Sequence, residues 1–431
     1  MACMLSCSCR LLPSPSPSCS LRKHKNSSSG SRKQSDRLLS SLAASTDPSA
    51  AAHIIRKFVA SSSKSTALQT LSLLLSRSSP LALIIYQRIS TTHWFNWTPK
   101  LVAELISVLE SNGRPSKARE LVSESVSRLA SQRDIACFYC DLIDAASDRN
   151  LNDFVFELYG RIKDMGFVGK RPFESMVRGL SSMGMPVDAE KMLDEMGHSG
   201  FKPSGFEYRM VIQGYGRLGL FDEMTRVLGR MEDAGLGVDT VCANVVLSCY
   251  GDHGRIPEMV TCIRKMRALG NGCSVRTFNS VWNSCPSVVS ITKDLGTVAL
   301  SVDDLLEKLN NDEALLVQEL VSSSVLFENL NWSDSEGELD LHGFHLASAY
   351  VILLQWMEVL RSRFLVEEEV VVPLEISVVC GSGKHSIVRG ESPVKKLVSV
   401  LMFRLKSPMK IDRKNAGKFV AKGKAVRDWL C

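Results

Sequence analysis

The chain has 431 residues, 45% of them hydrophobic and 23% charged, with 28 Gly, 15 Pro and a formal net charge of +6. That length exceeds one compact core and predicts two or three domains or a repeat array, while the composition excludes collagen-like and low-complexity chains. The surplus of 52 Lys and Arg over 46 Asp and Glu carries meaning only through where it sits.

Residues 1–45 hold fourteen Ser, seven Lys or Arg and a single acid, Asp36, so this leader alone accounts for the whole +6. Such a composition predicts a disordered presequence. It resembles plastid transit peptides more than the Arg-rich amphipathic mitochondrial kind, which implies the chloroplast as destination and the mitochondrion as the alternative. No run of 18 apolar residues occurs, so neither a membrane span nor a secretory signal is expected. Four of the thirteen cysteines lie in the leader and the rest are scattered, which is no disulfide framework. Cys137-x-x-Cys140 has half a zinc site's spacing without a second pair, and reads as small buried residues on a helix.

Between 60 and 135, Pro80 with Ala82 and Asn112-Gly113-Arg114 with Ala118 suggest two degenerate helical hairpins. From 136 to 285 a period of about 35 emerges: Gly166, Gly200, Gly235 and Gly270, each four residues after Ile162, Met196, Met231 and Met266. Gly184, Gly219 and Gly254 recur at the same interval, with Asn150 at the equivalent earlier place, and Tyr139, Phe173, Tyr208 and Phe278 share an aromatic position. The units are 136–169, 170–204, 205–239, 240–274 and a partial 275–285. One unit reads as a helix from Phe206 to Arg217, a turn at Leu218-Gly219, a helix from Phe221 to Ala234, and Gly235 as the stop. A hairpin of that size cannot bury its own apolar face, so the units must stack into an α-solenoid.

Residues 286–337 contain ten acids and two lysines. They read as an acidic pair of capping helices, started by Ser301-x-x-Asp304 and lined by Leu305, Leu306, Leu309, Leu315 and Leu316, then a linker at 333–337. From 338 to 431 strands and helices alternate: strand 338–341, helix 344–363, strand 374–379, a glycine loop, a helix begun by Ser392 and Pro393, and strands at 409–412 and 417–421. This predicts a small α/β two-layer sandwich after the solenoid. Asp340 and His342 stand two apart at a strand end, hence on one face, as phosphodiester chemistry requires of an acid/base pair. Gly381, Gly383, Lys384, His385 and Ser386 form a loop after a strand, suited to phosphate. From 384 to the end, thirteen bases face three acids, a local basic footprint.

Tyr208-Arg209, Gly216-Arg217-Leu218-Gly219, Met231 and Gly235, with Lys202-Pro203-Ser204, resemble the pentatricopeptide repeat, the organellar RNA-binding family of plants. The resemblance implies single-stranded RNA as partner and base-facing residues at Glu174 with Ser204, Arg209 with Asp239, Asn244 with Ser274, and Asn279. The Asn244 and Ser274 pair is the kind that the family uses for a pyrimidine. Leu339-Asp340-Leu341-His342-Gly343, the loop after Cys380, and Ser392-Pro393-Val394-Lys395 resemble the Smr (small MutS-related) domain over nearly all of 338–431, with Cys380 where that family has Thr. This second resemblance implies a fold similar to the C-terminal domain of bacterial translation initiation factor three, and Asp340 and His342 as catalytic candidates in an endonuclease. Together they imply a chloroplast RNA-binding protein acting in RNA processing, stability or translation, with an endoribonuclease activity in the Smr domain. The alternatives are a non-catalytic RNA-protecting factor and a DNA-nicking nucleoid protein that binds duplex DNA. No cofactor is fixed, although the resemblance admits a divalent cation such as Mg2+, and the oligomeric state is left open.

Overall fold

The computed structural model describes residues 34, 37–42, 48–321, 323–366, 371–381 and 392–431, which fall into two compact units dividing after Leu129. In the first unit, α1 (Pro48–Ser61), α2 (Lys64–Ser76), α3 (Ala82–Ser90), α4 (Pro99–Ser111) and α5 (Pro115–Ser127) follow one another. The α2/α3 and α4/α5 pairs are the two degenerate hairpins, with Gly113 at φ +68° in the second turn. Most of the predicted leader lies outside the described residues. Its end does not match the expectation of disorder: 37–42 is helical with Leu38 and Leu42 buried, because the apolar spacing there is that of a helix face.

The second unit opens with four hairpins: α6 (Gln132–Ser147) with α7 (Asn152–Asp164), α8 (Lys170–Ser182) with α9 (Pro186–His198), α10 (Gly205–Arg217) with α11 (Phe221–Asp233), and α12 (Thr240–Asp252) with α13 (Ile256–Ala268). A last first-type helix, α14 (Val275–Asn283), closes the row. The glycine period has a local cause. Each helix of the four hairpins ends on a left-handed residue: Gly219 at φ +72° and Gly235 at +77°, with Asn150 at +54° where the period has no glycine. The following amides turn back on the helix, Leu220 N–H to Tyr215 C=O and Leu236 N–H to Met231 C=O, both at 3.1 Å, which is how orphaned end carbonyls are satisfied.

First helices stack on first helices, α6 on α8, α8 on α10, α10 on α12 and α12 on α14. Glycines make the approach close: a Cβ at Gly179, Gly216 or Gly251 would overlap Ser147, Cys249 or Ser284 of the adjoining unit. The shared aromatic position is buried at Tyr139, Phe173, Tyr208 and Phe278, and Ile162, Met196, Met231 and Met266 are buried beneath the second helices. Of the Cys-x-x-Cys pair on α6, Cys140 is buried, its thiol pushed up to about 12 by burial, whereas Cys137 is exposed, contrary to the reading of both as core.

One polar cluster ties consecutive hairpins. Glu190 on α9, 8% exposed, accepts the Tyr215 hydroxyl of α10 at 2.8 Å and both Arg226 guanidinium nitrogens of α11 at 2.7 Å. The Arg226 hydrogen bond leads in holding its carboxyl down to about 2, against the opposing effect of burial. A carboxylate lowered from 4.5 stabilises the fold fully above that value and loses the contribution as pH falls towards 2. Glu190→Gln is therefore expected to cost about 2 kcal/mol at neutral pH, allowing for screening at the half-exposed Arg226. Denaturant midpoints of the two proteins should converge below pH 4.5; a gap that stays constant with pH would refute the electrostatic account.

After α14 come α15 (Pro286–Ile291), α16 (Val302–Lys308), α17 (Asn311–Val321), α18 (Val325–Glu328), β1 (Leu330–Trp332), β2 (Glu336–Asp340), α19 (Leu346–Val366), β3 (Glu375–Val379), α20 (Pro393–Arg404), β4 (Lys410–Ile411), β5 (Lys418–Lys422) and α21 (Gly423–Leu430). The sheet order is β1-β2-β3-β5-β4, with β2 and β3 parallel and the other pairs antiparallel. Leu339, Ile376, Val378 and Phe419 turn into the core with α19 and α20, and alternation sends Glu336, Glu338 and Asp340 to the other face.

The segment read as a bridge and linker is structurally part of this body. Positions 333–337 are the turn and opening residues of a β1/β2 hairpin, not a linker, and a single apolar cluster runs from Ala243 to Leu430, taking in α14, α16, α17 and the sheet. Ten acids could line that segment because Leu305, Leu316, Val317 and Leu320 face inward at helical spacing. Strand β1 and helix α21 were not expected from sequence, the first being only three residues long.

Candidate nucleic-acid interface and C-terminal site

The base-facing positions inferred for the repeats fall into two structural classes. Ser204, Asp239 and Ser274 are N-caps of the following first helix: Ser204 belongs to a capping box with Glu207, Asp239 accepts Cys242 N–H at 2.7 Å, and Ser274 accepts Thr277 N–H at 3.2 Å. Ser-x-x-Glu at 204–207 was a legible capping signal. Glu174, Arg209 and Asn244 lie about one turn into a first helix, each on the helix one repeat before its cap partner, with Asn279 at the same place in α14, and most are already engaged. Glu174 pairs with Lys170 at 3.1 Å, and Arg209 with Asp239 at 3.6 Å. Asn279 is bound to backbone atoms of Gly343 and His345. Asn244 differs: it is 7% exposed and its Oδ1 has no hydrogen-bond partner among the described residues. A buried amide oxygen without a donor is costly, and because this one is sealed from solvent it offers no acceptor to a ligand while the helices stay as packed.

In the C-terminal body, parallel pairing in register sets Asp340 beside Val379, so the chain leaves β2 towards His342 next to where it leaves β3 towards Gly381. Leu341 N–H donates to Val379 C=O at 2.8 Å. Asp340 Oδ1 accepts the His342 backbone N–H at 2.8 Å and lies 2.7 Å from His342 Nδ1, with both side chains about half exposed. The carboxylate thus holds the imidazole at Nδ1, and its Nε2 edge has no hydrogen-bond partner among the described residues. That edge points at Gly381: a Cβ there would sit 3.1 Å from Nε2, and φ +75° is also unfavourable for other residues. Gly383, Lys384, His385 and Ser386 lie outside the described residues.

Two further elements that the sequence had marked reach this same sheet end. Ser392, the N-cap of α20, donates to Cys380 C=O at 3.2 Å and accepts Lys395 N–H at 3.2 Å, bringing a helix N-terminus to the strand end. The antiparallel β3/β5 pair sets Lys418 opposite Val379, and Cys380 N–H donates to Gly417 C=O at 2.8 Å, so the loop bearing exposed Arg413 and Lys414 joins the same end. Lys418 itself is spent: its Nζ lies 2.7 Å from both Glu336 and Glu338. Cys380 is buried, which pushes its thiol up to about 12 and makes it inert rather than nucleophilic. Among the described residues no group of three or more His, Cys, Asp or Glu is placed to hold a metal ion.

The PPR repeat profile matches residues 173–201, 208–236 and 241–271, each opening on or within a first helix and closing just beyond a second. A pentatricopeptide repeat-containing protein of Arabidopsis thaliana is 49% identical over 415 residues, which is 93% of this chain and 82% of that protein. Among solved structures, the pentatricopeptide repeat protein PPR10 in complex with an 18-nt psaJ RNA element is 18% identical at a TM-score of 0.38, covering 61% of this chain and 41% of that one. PPR10 from maize on its own is 14% identical at a TM-score of 0.36, covering 87% and 61%. This chain thus spans less than two thirds of either structure. Identity of 49% across nearly the whole chain, with the repeat profile falling on its helical hairpins, places it in the pentatricopeptide repeat family.

Proposed function

We propose that the chain binds single-stranded RNA through its repeats in a plant organelle, the chloroplast ahead of the mitochondrion, and that its C-terminal body is an Smr domain that cuts the bound RNA. The observation carrying this reading is the Asp340–His342 pair with its Nε2 edge at Gly381, at the sheet end that the loop bearing exposed Arg413 and Lys414 also reaches. His342 takes a proton at Nε2 from an attacking hydroxyl as that oxygen bonds to phosphorus, while the P–O bond to the leaving oxygen breaks and that oxygen takes up a proton from water. Asp340 holds the resulting imidazolium, which returns its proton to solvent, and Arg413 and Lys414 offer charge to the phosphate. By the family resemblance Asn244 with Ser274 reads a pyrimidine, which requires the buried Asn244 amide to become accessible to the base. PPR10, a member of the same family, has been crystallised with an RNA element, in line with this partner.

A second reading, an RNA-protecting factor without cleavage, is favoured by the repeat positions that the protein itself occupies, Glu174, Arg209 and Asn279. RNA co-purified with the full chain from isolated chloroplasts and mitochondria, sequenced for footprints and for ends, separates the two: footprints with new ends at their margin support cutting, and footprints alone support protection. Neither reading survives if duplex DNA outcompetes single-stranded RNA, the outcome expected of a DNA-nicking protein. Binding should weaken with salt with a logarithmic slope of roughly −0.7 per phosphate contact, and a slope near zero would sink an electrostatic grip on the backbone.

A further inference from the structure

The repeat row and the Asp340–His342 turn meet through side chains of α14. Asn279 Nδ2 donates to Gly343 C=O at 2.7 Å, and Asn279 Oδ1 accepts His345 N–H at 2.8 Å. One turn later Asn283 Nδ2 lies 2.7 Å from His345 Nδ1. A single amide therefore bridges the carbonyl of the residue after His342 and the amide two residues further on. Gly343 has φ +83°, and a Cβ there would lie 3.9 Å from Val275 of the same helix, so α14 also backs the turn sterically. On its far side the turn is held by Leu341 N–H to Val379 C=O and by buried Phe344. His342 thus projects from a segment pinned by the sheet on one side and by the last repeat helix on the other.

We propose that Asn279 is a positioning residue for His342 and not a reader of RNA bases. Each of the two groups of its amide makes one hydrogen bond to the turn, so the turn fixes the plane of the amide and a base meets only the remaining N–H and lone pair in an orientation that Gly343 and His345 set. The row of repeat positions then ends at Ser274, and its next member sets the orientation of the C-terminal pair. This rests on the reading that Asp340 and His342 act on RNA, and it makes the last helix of the array a part of that site's scaffold. Rigid elements hold a reacting group more closely than loops do, and a short loop bearing a half-exposed histidine is otherwise free to turn away.

The test uses the full chain as wild type, Asn279→Ala and Asn279→Asp, with labelled rA, rC and rU homopolymers and a mixed-sequence single strand as probes. Hydrogen exchange across 341–346 is the readout that does not depend on activity. Asn279→Ala is expected to speed exchange at His342 and His345 roughly 3- to 10-fold, the loss of one or two ordinary hydrogen bonds. Asn279→Asp keeps the acceptor for His345 N–H and loses the donor for Gly343 C=O, so His345 protection returns while the turn stays loosened. Affinity for all four probes should be unchanged, and cleavage should lose kcat about tenfold at constant KM. Unaltered exchange in Asn279→Ala, or a change in affinity for one homopolymer against the others, overturns the proposal. If wild type cuts none of the probes, the cleavage reading falls, whereas exchange and affinity still decide whether Asn279 positions the turn or reads a base.

Discussion

Replacing His342 with Ala is expected to lower RNA cleavage by the full chain roughly 10²- to 10⁴-fold, the usual worth of a positioned general acid or base. RNA affinity should stay unchanged, because the repeats and the exposed bases at the sheet end are untouched. Asp340→Asn isolates the second role. Its amide oxygen can still accept the His342 N–H, but the negative charge opposite Nδ1 is gone, so the imidazolium that forms on proton transfer loses its partner. Loss of rate with intact binding is the expected pattern for both variants, and it should appear as a fall in kcat without a rise in KM. Equal cleavage by wild type and both variants removes the catalytic assignment and leaves the C-terminal body as an RNA grip.

Trp282→Ala should be among the most destabilising single changes, at about 3–5 kcal/mol for emptying a buried aromatic site. Trp282 on α14 is fully buried and meets Phe278 edge to face at 6.2 Å, within the apolar cluster that runs from the repeats into the sheet. Its Nε1 has no hydrogen-bond partner among the described residues. Trp282→Phe should therefore cost much less, within about 1.5 kcal/mol, because it keeps much of the ring while removing an unsatisfied donor. Chemical denaturation of the three proteins, followed separately by signals from the repeats and from the sheet, checks both points. With Ala, repeats and sheet should lose stability together. Unfolding of the repeats with the sheet unaffected would contradict a shared core.

The helical hairpins were legible because their signals are local. A glycine at a left-handed helix end, a capping Ser or Asp, and an apolar residue every third or fourth position act within a turn of the chain, and each recurs at the repeat length. The helix expected from Phe206 to Arg217 spans Gly205–Arg217, and that expected from Phe221 spans Phe221–Asp233. Strands β2 and β3 and helix α20 were readable on the same grounds, through alternation and through Ser392-Pro393 as a start signal. The three-residue β1 was not, since a strand that short has too little alternation to separate it from a loop.

What the sequence determined by itself is the set of chemical groups and their spacing along the chain: the repeat period, the Asp340 and His342 pair on one side of a strand end, and the basic C-terminal stretch. Tertiary structure decided which of these groups remain free. Arg209 is paired with Asp239, Lys418 with two glutamates, and Asn279 with a turn more than sixty residues away, while Asn244 is buried. It also brought Gly381, Ser392, Arg413 and Lys414 to the end of the sheet that carries His342. The physical reason is that caps and periodicity follow from neighbours within one helical turn, whereas pairing across repeats and strands depends on packing register, which no local pattern specifies.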